Sequence, residues 1–154
     1  KSKLYLEDID LVIVGEESIR DIRISKLLAT LSKDVSLHIH FLNGILDEAL
    51  TYLFKGASLF VYPSKAEGFG IPPLEAAISE IPTICNKATA MSDFDFFKPR
   101  LIDTSNPDIL SALMRDCITN PPAKDELIAI KKIVMERYNW ESIAQYYLEI
   151  LSTI

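Results

Sequence analysis

Only two cysteines, Cys85 and Cys117, occur in 154 residues, and their spacing matches no ligand pair. That excludes a disulfide-stapled scaffold and leaves no framework for a structural zinc site. Both thiols are expected to be free and buried in a reducing compartment, which places the protein in the cytoplasm. Cationic charge is scarce as well: 16 Lys and Arg stand against 22 Asp and Glu, a formal net charge of −6. Without a basic cluster to neutralise phosphates, nucleic acid and an anionic membrane surface are excluded as main partners. The densest basic spot, Lys131-Lys132, reads as the wet face of a helix. No apolar run approaches the roughly 18 residues of a membrane span. Glycine is also rare, five in all. Two of them, Gly68 and Gly70, fall close together and mark a place where backbone geometry matters.

What is present is the balance of an ordinary globular domain, 49% apolar and 25% charged, in a chain long enough to bury a core. Residues 10–15 form an apolar run ending in glycine, which predicts a strand buried on both faces of a parallel sheet. Ser18 is the N-cap expected for the next helix, whose stripe is Ile24, Leu27, Leu28 and Leu31. Residues 35–42 predict a second strand, closed by Asn43-Gly44. His38 and His40 share one face of it. No Cys, Asp or Glu cluster accompanies them in the sequence, so a partly exposed strand face outweighs a metal site. Residues 45–55 predict a helix with Leu46, Leu50, Leu53 and Phe54 inward and Gly56 as its stop. Three further strands are expected at 58–62, 81–85 and 100–103, with a polar, broken connection over 86–98. Asn106-Pro107 opens a helix with Ile109, Leu110, Leu113, Met114 and Cys117 inward, and another helix spans about 123–137. Asn139 caps a last helix expected to bury Ile143, Tyr147, Ile150, Leu151 and Ile154, with Trp140 as a core or docking anchor. Alternating strands and helices predict an α/β class: a Rossmann-like parallel sheet with helices on both faces. Its binding edge lies at the carboxyl ends of the strands.

The most informative stretch runs from Tyr62 to Ala77, between an apolar strand and an apolar helix, and holds two glycines, three prolines and two carboxylates. A strand, a glycine-containing loop and a helix N-terminus together make an anion site, because exposed N–H groups and the helix dipole act in the same direction. Two glutamates beside such a site are unfavourable unless they accept hydrogen bonds from hydroxyl groups. A ligand with both phosphate and several hydroxyls meets both demands, and nucleotide sugars are such ligands. Taken alone, Glu75 also fits an ordinary glutamate near a helix start, favoured by the dipole, and Glu67 a solvated loop residue.

The residues from Pro63 to Ile84, PSKAEGFGIPPLEAAISEIPTI, decide between those readings. They resemble the C-terminal, nucleotide-sugar-binding half of retaining glycosyltransferases of the GT-B fold, the group with an E-x7-E motif. Glu67 and Glu75 stand at the two motif positions. Similar runs extend the likeness over nearly the whole chain: DLVIVG at 10–15, LTYLFKGASLFVYPS at 50–64, and Tyr138-Asn139-Trp140-Glu141 near the end. The resemblance implies that Glu75 accepts hydrogen bonds from the ribose hydroxyls, a strong charge-assisted arrangement. It implies that Glu67, the catalytic candidate, lies beside the donor sugar. It places the amides around Phe69, Gly70 and Ile71 on the sugar and distal phosphate, with Gly68 and Gly70 letting that backbone come close. Asn43 and Gly44 are expected near the base. The implied reaction transfers a sugar from a nucleoside diphosphate donor to an acceptor hydroxyl with retention, without a cofactor or catalytic metal. Asp93-Phe94-Asp95 matches a D-x-D metal motif of another glycosyltransferase fold, but the α/β order fits GT-B, so it is read as coincidence.

Two departures from the family pattern matter. Glu80 stands where the family has a glycine before Ile81-Pro82, so it must end the helix in a left-handed conformation at some cost, or use a different turn. An Arg and Lys that neutralise the diphosphate in the family have no counterpart, since Arg20, Arg23 and Lys26 follow a different strand. The segment before Leu11 is too short for the family's first strand and its helix. Residues 1–154 are therefore expected to be one nucleotide-sugar-binding domain lacking that strand. The acceptor sugar, lipid or protein, and any peripheral membrane contact, would belong to an N-terminal half outside this chain. The alternatives are a non-catalytic or regulatory nucleotide-sugar-binding domain, and a flavodoxin-like or receiver module, for which Val14-Gly15-Glu16-Glu17 offers a poor match.

Overall fold

A computed structural model describes residues 9–15 and 22–153. The expected cap Ser18, Arg20 and the final Ile154 lie outside the described residues. The chain divides into two compact units, Lys1–Leu53 and Phe54–Ile154.

The first unit contains β1 (Leu11–Val14), α1 (Ile22–Leu28), α2 (Lys33–Leu37), β2 (Ile39–Leu42) and most of α3 (Asp47–Gly56). β1 and β2 run parallel, with Leu11 opposite Ile39 and Val14 opposite Leu42. The expected strand over 35–42 is thus half helix. Ser32 is the reason: its side chain accepts the Val35 N–H and caps α2, with Asp34 in the favourable first turn. β1 is a strand as expected but is not buried on both faces. Leu11, Val12 and Val14 are exposed, and among the described residues β2 is its only paired neighbour. Leu46 precedes α3 and is exposed, so it is not part of the inward stripe.

One carboxylate, though no cluster, accompanies the two histidines. Asp10, just before β1, bonds through one oxygen to His38 Nδ1 (3.1 Å) and His40 Nε2 (3.0 Å). The pairing of adjacent parallel strands brings together residues that the sequence separates. The His40 and then the His38 hydrogen bonds hold the Asp10 carboxyl below its usual range. No group of three or more His, Cys, Asp or Glu that could hold a metal occurs among the described residues.

The second unit contains the end of α3, β3 (Phe60–Tyr62), α4 (Ile71–Ile78), β4 (Thr83–Asn86), β5 (Leu101–Ile102), α5 (Pro107–Thr119), α6 (Lys124–Arg137) and α7 (Trp140–Ser152). Its parallel sheet has the order β3-β4-β5, with Tyr62 opposite Cys85 and Asn86 opposite Ile102. β4 is central and buried at every position, as a strand flanked on both sides must be. Among the described residues the strands form two sheets, one of two strands in the first unit and one of three in the second.

The connection over 86–98 is not the polar loop its composition suggests. It forms two 3₁₀ turns, Thr89–Asp93 and Asp95–Phe97, and Met91, Phe94 and Phe97 are among the most deeply buried side chains. These three join Leu74, Ala77, Cys85, Leu101, Ile130 and Val134 in the core. Met91 and Phe97 lie in the two 3₁₀ turns and Phe94 at the junction between them, an arrangement that neither helix nor strand templates detect. Asp95 of the D-x-D sequence is paired with Arg137 (3.0 Å), which also donates to the Asp93 carbonyl.

α4 packs against α6, and of the two endings open to it at Glu80 it takes the left-handed one. Glu80 has φ 58°. Its N–H donates to Ala77 O, and Ile81 N–H donates to Ala76 O, the two bonds of a Schellman ending. Lys131 on α6 pairs with Glu80 at 2.7 Å, so Lys131 is half-buried and only Lys132 lies on the wet face. Asn106 and Asn139 cap α5 and α7 as expected, each side chain accepting two backbone N–H groups. α7 buries none of its residues within the described chain. Tyr147, Ile150 and Leu151 are exposed, and Trp140 is 82% exposed, which overturns their assignment to the core. Cys85 and Cys117 are free and buried. Among the described residues no helix is long and apolar enough to cross a membrane.

Candidate functional site at the carboxyl edge of the three-stranded sheet

The loop from Pro63 to Gly70 leaves the carboxyl end of β3 and enters α4. Asn86, the last residue of β4, ties this edge together. Its side chain is buried, donates to Ser64 O (2.8 Å) and accepts the Thr104 N–H (3.1 Å). One amide side chain thus links the segments that follow all three strands. The amide is an efficient link there, because it offers a donor to one side and an acceptor to the other.

Gly70 is the N-cap of α4, with φ 92° and ψ 57° and no side-chain cap. A Cβ there would lie 2.8 Å from Met91 Cγ and 3.2 Å from Phe94 Cε2, so both backbone and space demand glycine. Gly68 differs, because a Cβ at that position meets nothing within 4 Å. Pro72 and Pro73 occupy the first turn of α4, where their missing N–H groups cost no helix bond. The donors left at this helix start are therefore those of Gly68, Phe69, Gly70 and Ile71, and no intramolecular acceptor engages them among the described residues. Unpaired amides at a helix N-terminus form an anion-binding surface. Phe69 is 48% exposed and meets Tyr138 edge-on at 5.4 Å. Ile71 is exposed.

The two glutamates have different surroundings. Glu67 is half-exposed, and Tyr62 Oη donates to its Oε1 at 2.7 Å. Its backbone N–H donates to Thr89 Oγ1 at 3.0 Å. Hydrogen bonds from Ser64, then Tyr62, hold the Glu67 carboxyl below its ordinary range against a small opposing effect of burial. Burial, and then the bond to Glu67, push the Tyr62 phenol up to about 12. Glu67 is thus a carboxylate, and Tyr62 a neutral donor, across the neutral pH range. Glu75 is exposed on α4, beyond the first turn, between buried Leu74 and Ala76. Its carboxylate makes no hydrogen bond or ion pair among the described residues, so its acceptor oxygens are open to a ligand.

The second unit therefore brings Glu67, Gly68, Phe69, Gly70, Ile71 and Glu75 onto one loop and the helix that follows it. Asn43 and Gly44 follow β2 in the first unit, with Gly44 in a left-handed turn at φ 61°. Sequence reasoning missed Tyr62, Asn86, Thr89 and Met91, which hold the loop from beneath. Nothing in residues 86–91 signals this by periodicity; only the parallel pairing of β3 with β4 brings the two segments side by side.

Comparison with known proteins gives a consistent result. The family model described as "Glycosyl transferases group 1" matches residues 2–134. O-antigen chain mannosyltransferase B of Escherichia coli is 30% identical over 104 residues, covering 68% of this chain and 27% of that protein. An MMP alpha-(1->4)-mannosyltransferase of Mycolicibacterium hassiacum is 29% identical over 123 residues, covering 77% of this chain and 29% of its own length. Among solved structures, HepE of Anabaena in complex with UDP superposes with a TM-score of 0.76 at 21% identity, over 95% of this chain and 41% of that one. The expected α/β fold of the GT-B type is thereby established. The chain spans less than a third of each of these two mannosyltransferases.

Proposed function

The chain belongs to the glycosyl transferases group 1 family, and from that premise we propose that it forms the donor-binding domain of a retaining glycosyltransferase. The observation that carries this reading is the row of unengaged amides from Gly68 to Ile71, set between Glu67 and an unpartnered Glu75. Amides without an acceptor suit a diphosphate, and a carboxylate without a donor suits a vicinal pair of ribose hydroxyls. Glu67 faces the donor sugar in this proposal, Glu75 the ribose, and Phe69, Gly70 and Ile71 the distal phosphate and sugar. Asn43 and Gly44 hold the base by main-chain contacts.

The donor is a nucleoside diphosphate sugar. The mannosyltransferase relatives favour a nucleoside diphosphate mannose as a first candidate, and the complexes of HepE with UDP and UDP-glucose favour a uridine donor as the second. The anomeric carbon loses the nucleoside diphosphate and is attacked on the same face by the acceptor hydroxyl. Stabilisation of the departing diphosphate is the main catalytic demand. The loop supplies dipoles for it, and the cations that complete it lie outside the loop. In this proposal the acceptor is held by a second domain, in the cytoplasm. No cofactor or catalytic metal takes part in the proposed step.

Isothermal calorimetry on the full-length protein with GDP, UDP, GDP-mannose and UDP-glucose tests the reading. At least one nucleotide should bind, and Glu75→Ala should weaken it about tenfold or more, the loss of charge-assisted bonds. A folded protein that binds none of the four refutes the site. A non-catalytic nucleotide-sugar-binding domain predicts the same binding but no transfer, so turnover of the bound sugar separates the two readings.

A further inference from the structure

We propose that Tyr62 and Thr89 are positioning residues that fix Glu67 at both of its ends, and that they set how strongly the site recognises the sugar part of its donor. The inference rests on the donor-site reading above and extends it to residues outside the two-glutamate motif. Glu67 is held at two points. Tyr62 Oη bonds the carboxylate at 2.7 Å, and Thr89 Oγ1 accepts the backbone N–H at 3.0 Å. The first bond selects the side-chain direction and the second pins the backbone from which that side chain springs.

The conformation of Thr89 argues that this contact is more than incidental. Thr89 has φ 49°, the left-handed region, which is costly for a β-branched residue. Such strain persists only where surrounding structure over-determines it, and it concentrates at functional sites. The surroundings here are specific. Ala88 N–H bonds to Asn86 O, Met91 N–H bonds to Ala88 O, and Met91 is fully buried beneath Gly70. The 3₁₀ turn that begins at Thr89 is therefore anchored in the core, while Thr89 presents its hydroxyl to the loop. Tyr62 is fixed as well, since it closes β3 opposite Cys85 and stacks on Phe60 at 6.0 Å. Both groups touching Glu67 thus stand on rigid elements, whereas Glu67 itself is on the loop. A carboxylate held in this way meets a sugar hydroxyl without first losing rotamer freedom, which is the usual gain from preorganisation.

The test separates sugar recognition from nucleotide recognition. In the full-length protein, calorimetry gives the dissociation constants of UDP and UDP-glucose, and of GDP and GDP-mannose. The ratio of nucleoside diphosphate to nucleotide sugar isolates the sugar's contribution. Tyr62→Phe and Thr89→Ala should each lower that ratio about five- to tenfold, the loss of one hydrogen bond to a positioned carboxylate. Affinity for the bare diphosphate should stay within about twofold, because Glu75 and the Gly68–Ile71 amides remain in place. Thr89→Ser should restore the ratio, since it keeps the hydroxyl. In a Glu67→Ala background, Tyr62→Phe should have no further effect on the ratio. The proposal is overturned if both variants leave the ratio unchanged. It is equally overturned if they weaken diphosphate and nucleotide sugar to the same degree, which is the mark of a merely structural role. Failure of the unaltered protein to bind any of the four nucleotides would refute the donor site itself, and this inference with it.

Discussion

Gly70→Ala should be among the most damaging single-methyl additions in the second unit, and its cost can be worked from two independent sources. The backbone at Gly70 has φ 92°, and placing an L-residue in a left-handed conformation costs about 1–2 kcal/mol. The new methyl would also stand 2.8 Å from Met91 Cγ and 3.2 Å from Phe94 Cε2. Met91 cannot swing clear, because it is fully buried and its Sδ lies 3.5 Å from Cys85 Sγ. Overpacking of this kind costs about 1–3 kcal/mol. Together the two effects give a loss of about 2–5 kcal/mol, which at an m-value of about 2 kcal/mol/M lowers the urea midpoint by roughly 1–2.5 M. Gly68→Ala is the control, since its methyl enters open space and its effect should lie within about 0.5 kcal/mol. A Gly70→Ala, Met91→Ala double variant should recover the overpacking part as a coupling of about 1–2 kcal/mol. Equal midpoints for the Gly68 and Gly70 variants would mean that neither the left-handed turn nor the Met91 contact governs the loop.

Three further outcomes follow from contacts elsewhere in the same unit. Tyr62 keeps its proton in the folded state to about 12, while an unfolded tyrosine loses it near 10. Its contribution is complete below about pH 10 and is lost as pH rises from there towards 12, so Tyr62→Phe should flatten the fall in stability over that window in urea titrations. Arg100 is buried, with Glu126 as the partner of its guanidinium and its Nε unbonded. Glu126→Ala should cost about 1–3 kcal/mol in thermal unfolding by leaving that charge unpaired. Glu80→Gly removes a left-handed penalty of about 1–2 kcal/mol and forfeits the Lys131 pair, worth about 0.2–1 kcal/mol at a partly exposed site. The net change should be a stabilisation of up to about 2 kcal/mol, and a destabilised Glu80→Gly protein would show the pair to dominate.

The parts legible in the sequence are those set by local rules. Asn106 and Asn139 cap their helices as read, and the glutamate loop lies between β3 and α4 as read. The left-handed Glu80 was legible only as one of two endings, raised by the glycine that the resembling family carries at that position. What escaped depends on pairing or on an unusual period. Ser32 turns 33–37 into a helix that the alternation of 35–42 conceals. Met91, Phe94 and Phe97 build the core from 3₁₀ turns that read as polar loop. Asp10 meets two histidines only because β1 lies beside β2. The candidate site divides in the same way. Glu67, Gly70 and Glu75 stand out as a spaced motif, whereas Thr89 and Asn86 reach the loop only through the β3-β4 register. The apolar stripe of α7 was readable too, but periodicity says which residues share a face and not whether anything covers it.

In the proposed site the amides of Gly68 to Ile71 receive the diphosphate of a nucleotide donor. Backbone amide resonances of the folded protein, followed by NMR during titration with UDP and with GDP, test that claim at the atoms concerned. The resonances of Phe69, Gly70 and Ile71 should shift and saturate together, and the response should weaken in Glu75→Ala through loss of affinity. Saturating binding that leaves those three amides unmoved, with shifts confined to other segments, would contradict it.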